Sequence, residues 1–416
     1  MELSKQSFQI SKSLVWKAYL KVKTNGGAPG IDNQSILDFE KNLEKNLYKI
    51  WNRMSSGSYF PVPVKSVSIP KKSGGSRILG IPSVSDRIAQ MVVKQVIEPV
   101  LEPIFHPDSY GYRPNKSAHD AIAITRERCW RNNWVVEFDI KGCFDNISHS
   151  LLNKALARHI KSKWFLLYIK RWLEGPISDL NGNIVTREKG IPQGGVISPV
   201  LMNLFLHYVF DAWITVNIEG IPFCRYADDG IAHCKSLKQA EYVMDKLKAR
   251  FKECGLELHP NKTKIVYCRD NKRTDDYPTK SFDFLGYTYQ PGSSVNKDGE
   301  RFLGFLPGVS RTALKAMRQE VRKSKIQLRN NKSLEDLSKY FKLKLQGWLN
   351  YYGRFYASAL GTFWEHFNWY LVRWVMRKFK RFKGHQRNAK YWLGKIAKAN
   401  PYLFPHWRIG FTPTTG

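Results

Sequence analysis

The chain has 416 residues, which is enough for two or three domains with a sizeable core. Its 43% hydrophobic and 13% aromatic content exclude general disorder. The 67 Lys and Arg residues against 35 acidic ones give a formal net charge of +32, which predicts a polyanionic partner. Because aromatic and basic residues are interleaved along the whole chain, nucleic acid is favoured over a membrane surface.

The six cysteines include no C-x-x-C pair, which predicts reduced thiols in a cytoplasmic protein, not a disulfide framework or a zinc site. The N-terminus lacks the apolar core of a signal peptide. Polar residues and a proline interrupt the most apolar run, residues 196–216. We therefore expect a core helix there and no membrane partner.

The N-terminal segment has a helical pattern that is broken by the sequence GGAPG. Its residues Gly27, Ala28, Pro29 and Gly30 predict a loop that backbone or ligand can approach closely. An ordinary turn between helices explains the same residues equally well.

Residues 59–82 alternate apolar and polar side chains around a Gly-Gly turn, which predicts a β-hairpin. The basic residues Lys71, Lys72 and Arg77 flank this turn and could hold a triphosphate or be solvated charges. An amphipathic helix is predicted over residues 86–105.

A buried strand is predicted from Trp134 to Asp139, and an acid that ends an apolar strand marks a site. Further on, the Gly-rich loop 190–195 leads into an apolar helix. Ser198 is expected to cap that helix, with Pro199 in its first turn.

The stretch FCRYADDG (223–230) places Asp228 and Asp229 at a predicted turn. Two carboxylates that close repel each other unless a cation lies between them. An exposed Asp-Gly hairpin turn is the common explanation of such a sequence. The next helix is expected to begin after Ser236 and to stop at Gly255, with a strand resuming at 256–258.

From Trp134 onward this order predicts a βαββαβ unit with Asp139 and the Asp228–Asp229 turn on neighbouring central strands. Beyond Val309 the strand signals disappear. Residues 311–416 carry 23 Lys and Arg residues against 4 acidic ones and are rich in Trp and Tyr, which predicts a cationic helical domain.

Three acids on such a sheet, with a basic hairpin, predict nucleotidyl transfer with two Mg²⁺ ions. Asp139 and Asp228 are expected to hold both ions, with the carbonyl of Ile140 as an extra ligand. Asp229 is expected to support the ion that activates the primer hydroxyl. Lys71 and Arg77 would then hold the triphosphate.

Nine fragments, in order, resemble the group II intron-encoded reverse transcriptases, or maturases. They are GGAPGID, IPKKSGGSRILGIP, DSYGYRPNKSAHDA, FDIKGCFDNISH, GIPQGGVISPVLMN, YADD, HPNKTKIV with FLGY, and GWLNYYGRF. The resemblance covers nearly the whole chain. It implies an α+β right-hand polymerase with fingers and a βαββαβ palm, followed by a helical thumb or maturase domain.

The resemblance also implies roles for single residues. Phe144 would pack under the sugar and disfavour a 2′-hydroxyl, Gln193 would lie beneath the templating base, and Lys262 would approach the triphosphate. The loop Gly27–Gly30 would grip template RNA, and Arg113 would contact it.

Four domains are predicted: an N-terminal extension with the template-binding loop (1–56), fingers and palm (57–303), thumb or maturase (304–383), and a short basic segment (384–416) that could be a DNA-binding remnant. The sequence ends without the Cys/His-rich endonuclease domain of many relatives, so no DNA-nicking activity of its own is expected.

The expected partners are RNA template, intron RNA, DNA primer or target, and dNTPs, in the cytoplasm of a bacterium or at an organellar nucleoid. A homodimer is left open. Two other functions also stay open, a host role in repair or defence and a maturase that acts mainly as an RNA-folding partner.

Overall fold

The computed structural model describes residues 9–70, 74–295 and 298–413. It divides into two compact units. The first contains the chain up to Arg128 together with Trp134–Ile265, and the second contains Cys129–Asn133 together with the chain from Val266 onward. The four predicted domain boundaries stay a prediction.

Residues 12–253 contain most of the described helices. They are α1 (Lys12–Asn25), α2 (Ile36–Glu40), α3 (Leu43–Ser55), α4 (Val84–Leu101), α5 (Ala118–Arg131), α6 (Cys143–Asn146), α7 (His149–His159), α8 (Lys163–Glu174), α9 (Ser198–Leu206), α10 (Ala212–Asn217) and α11 (Leu237–Glu253). A 3₁₀ turn, Glu102–Ile104, follows α4, and a π-helical segment, His207–Asp211, joins α9 to α10.

The strands within residues 64–267 form two four-stranded sheets. They are β1 (Val64–Pro70), β2 (Ser76–Ile81), β3 (Trp134–Asp139), β4 (Ile177–Ser178), β5 (Ile184–Val185), β6 (Phe223–Tyr226), β7 (Asp229–Cys234) and β8 (Lys264–Tyr267). One sheet has the order β2-β1-β4-β5, and the other has the order β6-β7-β3-β8. The antiparallel hairpin β1–β2 confirms the hairpin predicted over residues 59–82.

The sheet β6-β7-β3-β8 confirms the predicted βαββαβ order, with β3 and β7 as its central pair. Helix α11 packs on this sheet because its apolar residues recur at helical spacing. The residues Ala240, Val243, Met244, Leu247 and Phe251 are all buried. Ser236 accepts the N–H of Gln239 at 3.2 Å, which confirms the predicted helix start.

Two local predictions are wrong. Ser198 is itself the first residue of α9 and makes no capping hydrogen bond with its side chain, although Pro199 does lie in the first turn. The strand expected at 256–258 is a single bridge between Leu258 and Ile140, and regular pairing begins only at Lys264. A proline at position 260 cannot donate to a ladder and separates the two.

The apolar run that was expected to be a core helix is α9, the π-helical segment and α10. This stretch, Ser198–Asn217, is long and apolar enough to cross a membrane by length and composition, and 61% of its most apolar window is buried inside the protein. All six cysteines are buried.

The second unit contains a small antiparallel sheet and a helical bundle. Its strands are β9 (Phe282–Phe284), β10 (Tyr287–Val295) and β11 (Arg301–Val309), and its helices are α12 (Arg311–Lys323), α13 (Leu334–Tyr356), α14 (Gly361–Lys378) and α15 (Gln386–Ala399). Short 3₁₀ turns lie at Ile326–Leu328, Ala357–Leu360 and Lys380–Phe382. The expected absence of strands after Val309 is confirmed over the described residues.

The segment after α15 packs into the core of the helical bundle. Phe404, His406 and Trp407 are buried. The side-chain oxygen of Asn368 on α14 accepts hydrogen bonds from His406 Nε2 at 2.8 Å and Trp407 Nε1 at 3.1 Å. Its amide nitrogen donates to the carbonyl of Phe411 at 3.0 Å. These contacts give the segment a structural role, and the predicted DNA-binding remnant stays a prediction.

Candidate active site

The pairing register of the central sheet brings two of the three predicted acids face to face. Asp139 ends β3 and pairs directly with Asp229, the first residue of β7. Directly opposed residues of an antiparallel pair point to the same face. Their carboxyl groups are in hydrogen-bond contact, and Asp139 is 9% exposed.

The third acid, Asp228, lies in the two-residue loop that joins β6 to β7. Tyr226 pairs with Asp229 across this loop, which consists of Ala227 and Asp228. Ala227 has a φ of 58°, in the left-handed region that few residues other than glycine adopt. The turn therefore comes two residues earlier than the Asp-Gly step (residues 229–230) that the sequence first suggests.

Gly230 serves close packing beneath the site. A Cβ there would lie 2.1 to 2.6 Å from three ring atoms of Phe138. The Phe138 ring is buried and packs edge-on against Phe210, with the centroids 4.9 Å apart. Only glycine lets the strand that carries Asp229 lie this close to the ring.

Burial and repulsion make two of the acids, Asp228 and Asp229, hard to ionise. Burial, the hydrogen bond to Asp139 and the negative charge of Asp228 raise the pKa of Asp229 well above its usual range. Burial and the charge of Asp139 also raise the pKa of Asp228. A site that disfavours its own negative charges calls for a cation.

Lys262 supplies one cation. Its Nζ donates to Asp139 Oδ2 at 2.9 Å, and the N–H of His259 in the same loop donates to the Asp139 carbonyl at 2.8 Å. Burial opposes the charge on Lys262, but the hydrogen bond to Asp139 and the charges of the acids outweigh it and raise the pKa of the ammonium. The side chain is 54% exposed, so it can also meet a ligand.

The site fits a hard divalent ion, because the side-chain atoms that could bind one are carboxylate oxygens. Within the described residues, no group of three or more Asp, Glu, His or Cys side chains is arranged to hold a metal. Instead, the Asp139 carboxyl group forms hydrogen bonds with Asp229 and with the Lys262 ammonium. Metal binding would therefore require the Lys262 ammonium to move from Asp139.

Three other predicted residues are held by backbone hydrogen bonds within the first compact unit. The N–H of Ile140 donates to the Asp228 carbonyl at 3.3 Å. The carbonyl of Phe144, on α6, accepts from Ile191 at 2.7 Å, and the carbonyl of Gln193 accepts from Gly80 of β2 at 2.6 Å. Phe144 and Gln193 are half-buried, so each keeps an accessible face.

The hairpin residues are placed only in part. Lys71 lies outside the described residues, and Arg77 is exposed on β2, paired with Ile69. Tyr112 lies near both the hairpin and the acids: partial burial and the charge of Asp228 raise the pKa of its phenol, while the charge of Arg77 lowers it. Sequence reasoning missed Tyr112, whose left-handed φ of 57° no pattern announces.

The GGAPG loop is held by Arg87 of α4. The guanidinium donates to the carbonyls of Gly26 at 3.1 Å and Ala28 at 2.8 Å. A Cβ on Gly30 would lie 2.7 Å from the backbone of Ser83, so this glycine is needed for packing. Gly27, Ala28 and Pro29 are exposed or half-buried, and their predicted contact with template RNA stays a prediction.

Arg113 is engaged inside the protein. Its side chain is 6% exposed, forms an ion pair with Glu102 at 2.7 Å and donates to the carbonyls of His106 and Ser109, both at 2.7 Å. This geometry gives Arg113 a part in holding its loop. It offers no support for the predicted contact with RNA, which stays untested.

Two family models match the chain. Residues 69–289 match the reverse transcriptase (RNA-dependent DNA polymerase) family, and residues 314–392 match the maturase-specific domain of group II introns. The first match covers the sheet with the acids, and the second covers most of the helical bundle.

Curated relatives agree with these matches. Protein YkfC of Escherichia coli is 32% identical over 62% of this chain and 75% of its own length. The group II intron-encoded protein LtrA of Lactococcus lactis is 34% identical over 48% of this chain, and the match spans 33% of LtrA. The chain thus covers only a third of that intron-encoded relative. The structure of telomerase from Candida albicans with a fragment of telomeric RNA aligns over 88% of this chain and 69% of its own, at 16% identity and a TM-score of 0.45.

Proposed function

The chain belongs to the reverse transcriptase (RNA-dependent DNA polymerase) family and carries a group II intron maturase-specific domain, and from this premise we propose that it copies RNA into DNA by two-metal nucleotidyl transfer. One observation carries the mechanism: Asp139 and Asp229 meet at the end of the central sheet, with Asp228 beside them in the turn. Reverse transcriptases generally use divalent metal ions. We assign two Mg²⁺ ions to these acids and to the carbonyl of Ile140.

When bound, the ions lower the pKa of the primer 3′-hydroxyl and neutralise charge on the leaving pyrophosphate. The chain's own residues position the reactants. The Lys262 ammonium, on leaving Asp139, can donate to a triphosphate oxygen of the dNTP. Arg77 and Lys71 are proposed to bind the same triphosphate, Phe144 to pack under the sugar, and Gln193 to lie under the templating base.

Primer extension tests the assignment of the acids. Asp139→Ala and Asp228→Ala are expected to lower Mg²⁺-dependent extension on an RNA template by about 10²-fold or more, because positioning and charge stabilisation are lost. Asp245→Ala is the matched control, since Asp245 is an exposed acid on α11. All three variants should bind RNA as the wild type does. Undiminished extension by either site variant would contradict the metal assignment.

The sugar preference has its own test. Phe144→Ala is expected to relax exclusion of ribonucleotides, which competition between dNTP and rNTP measures in single-nucleotide incorporation. Unchanged exclusion would count against the role proposed for Phe144.

We also propose that the protein binds its intron RNA and assists splicing and mobility. The maturase-specific match and the balance of 23 basic against 4 acidic residues in 311–416 support this role. Asp228→Ala should still promote splicing of the flanking intron RNA in vitro, because Asp228 lies outside the maturase-specific match at residues 314–392. A gene with no intron RNA around it would instead favour a host role in repair or defence.

The cellular setting is also a proposal. The six cysteines include no C-x-x-C pair, which supports a cytoplasmic or nucleoid-associated location, and DNA primer or target is expected there. Cell fractionation tests the location, and light scattering with and without RNA tests whether a homodimer forms.

A further inference from the structure

A buried ion pair lies behind the catalytic turn, and the mechanism above does not use it. Arg225 of β6 donates from Nε and Nη2 to the two carboxylate oxygens of Asp211, at 2.7 and 2.6 Å. The two side chains are 1% and 0% exposed. Stability alone is a poor reason for such a pair, because apolar side chains of similar volume often serve a core equally well.

The rest of the guanidinium is directed at the turn. Nη1 donates to the carbonyl of Ala227 at 3.0 Å and to Asn203 Oδ1 at 3.2 Å, and Nη2 donates to Ser109 Oγ at 2.8 Å. With the two bonds to Asp211, all five N–H donors of arginine have an acceptor. No other side chain offers five donors in one rigid plane, so the site is specific for arginine.

The Ala227 carbonyl belongs to the residue of the turn that has the unfavourable backbone conformation. Ala227 has the left-handed φ of 58°, and the next two residues are Asp228 and Asp229. The direction of this carbonyl fixes the peptide plane from which Asp228 begins. A guanidinium that binds this oxygen therefore favours the left-handed conformation over alternatives that would turn the acids elsewhere.

The segment Asp108–Arg113 closes the other side of the turn. Its backbone pairs with β6 through Tyr110 N to Arg225 O at 2.8 Å and Arg225 N to Asp108 O at 2.9 Å. A Cβ on Gly111 would lie 2.4 Å from the Ala227 nitrogen. Asn203 Nδ2 donates to the Gly111 carbonyl at 2.8 Å, so Asn203 joins this segment to the Arg225 network.

The π-helical segment His207–Asp211 ends at the acid of the pair. Arg250 of α11 donates to the carbonyls of Tyr208 at 3.2 Å and Val209 at 3.1 Å within this segment. Single π turns inside α-helices recur at functional sites. Here the π turn ends with Asp211 fully buried against Arg225, and Arg250 holds the segment from α11.

We propose that Asp211 and Arg225 are positioning residues that hold Ala227 in its left-handed conformation and thereby set the placement of Asp228 and Asp229 for metal binding. This inference rests on the proposed function of those acids. The pair touches no reacting group and acts through the turn.

The test separates positioning from folding. In Arg225→Met/Asp211→Leu an apolar pair replaces the ion pair, so no buried charge is left alone and folding should survive. We expect a melting temperature close to that of the wild type and unchanged RNA binding. For single-nucleotide incorporation we expect kcat to fall about 10²-fold with little change in KM for dNTP, because the acids are misplaced by a fraction of an ångström to about 1 Å.

Direct metal binding gives a readout that does not depend on activity. Titration with Mn²⁺, followed by electron paramagnetic resonance, should show at least about tenfold weaker binding by the double variant. This loss of affinity is what weakening one carboxylate–metal contact would cause. The matched control is Arg273→Met/Asp270→Leu. This variant replaces a largely buried ion pair of the second unit, whose side chains are 10% and 14% exposed. The control variant should keep the wild-type kcat and Mn²⁺ affinity.

A second variant keeps the proposal open to refutation if the double variant does not fold. Asn203→Ala removes the link between Arg225 and Gly111 and keeps the ion pair; kcat and Mn²⁺ affinity should each fall several-fold. A folded double variant, or a folded Asn203→Ala, with the wild-type kcat and Mn²⁺ affinity would overturn the proposal. If the wild type itself does not extend a primer, the proposed function fails, while the Mn²⁺ titrations still test the pair.

Discussion

Replacing Gly230 by alanine should damage the active site through packing alone. The added Cβ would lie 2.1 Å from Phe138 Cζ, more than 1 Å inside ordinary contact, which begins at 3.4 Å. The Phe138 ring cannot easily yield, because it is buried and packed against Phe210 and Phe251, with centroids 4.9 and 5.7 Å away. The strand that carries Asp229 must therefore shift.

Two magnitudes follow. Overpacking a well-packed core costs roughly 1–3 kcal/mol, and the three close contacts here place Gly230→Ala at the upper end. A displacement of about 1 Å at catalytic groups can lower the rate about 10²-fold. We therefore expect a loss of about 2–3 kcal/mol in the free energy of unfolding, together with a rate loss near 10²-fold.

Urea denaturation and single-turnover primer extension measure the two effects. Gly347→Ala is the matched control for stability, because Gly347 lies inside α13, is exposed, and has nothing within 4 Å of an added Cβ. Alanine is the better helix former there and should raise the free energy of unfolding by about 0.8–1 kcal/mol. The same substitution should thus have opposite signs at the two sites.

The double variant Gly230→Ala/Phe138→Leu completes a cycle. Because leucine is smaller than phenylalanine, it leaves room for the added Cβ. The double variant should therefore lose clearly less stability than the sum of the losses of Gly230→Ala and Phe138→Leu, and it should regain part of the rate. Additive losses, or a Gly230→Ala variant as stable and active as the wild type, would refute the packing argument.

Four other outcomes are expected. Asn368→Ala should lower the free energy of unfolding by about 2–4 kcal/mol in urea denaturation, because the buried N–H groups of His406 and Trp407 lose their acceptor; an unchanged value would contradict this. Burial lowers the pKa of His406 to about 3, so the unfolded chain takes up a proton below about pH 6.5 that the native state excludes. The free energy of unfolding should fall as the pH is lowered from about 6.5 towards 3, and it should fall less steeply in His406→Gln. Equal slopes in the wild type and the variant would count against burial of His406 as the cause. The pKa of Asp229 is raised, so without divalent ions stability should fall as the pH rises above about 4, and Asp229→Asn should flatten this fall in thermal melts. The net charge of +32 predicts RNA affinity that falls by at least about tenfold between 50 and 200 mM salt, and a flat titration would refute an electrostatic interface.

The sequence predicted the catalytic sheet because each of its elements has a local signal. The apolar run that ends in Asp139, the capped helix after Ser236 and the YADD turn follow from periodicity and turn chemistry, and chain order then makes β3 and β7 neighbours. The predictions that failed are boundaries. Ser198 became a helical residue, and the strand expected at 256–258 formed only one bridge, because neighbours in the fold decide where an element begins.

What the sequence by itself determined is the chemistry: the acids, the basic balance, the helical C-terminal region and the order of motifs. Only the tertiary structure decided which groups meet. In the structure Asp139 pairs with Asp229, the Lys262 ammonium donates to the Asp139 carboxylate, and Arg225 is buried against Asp211 behind the turn. These contacts join residues distant along the chain, and their geometry depends on register and packing, which no local pattern encodes.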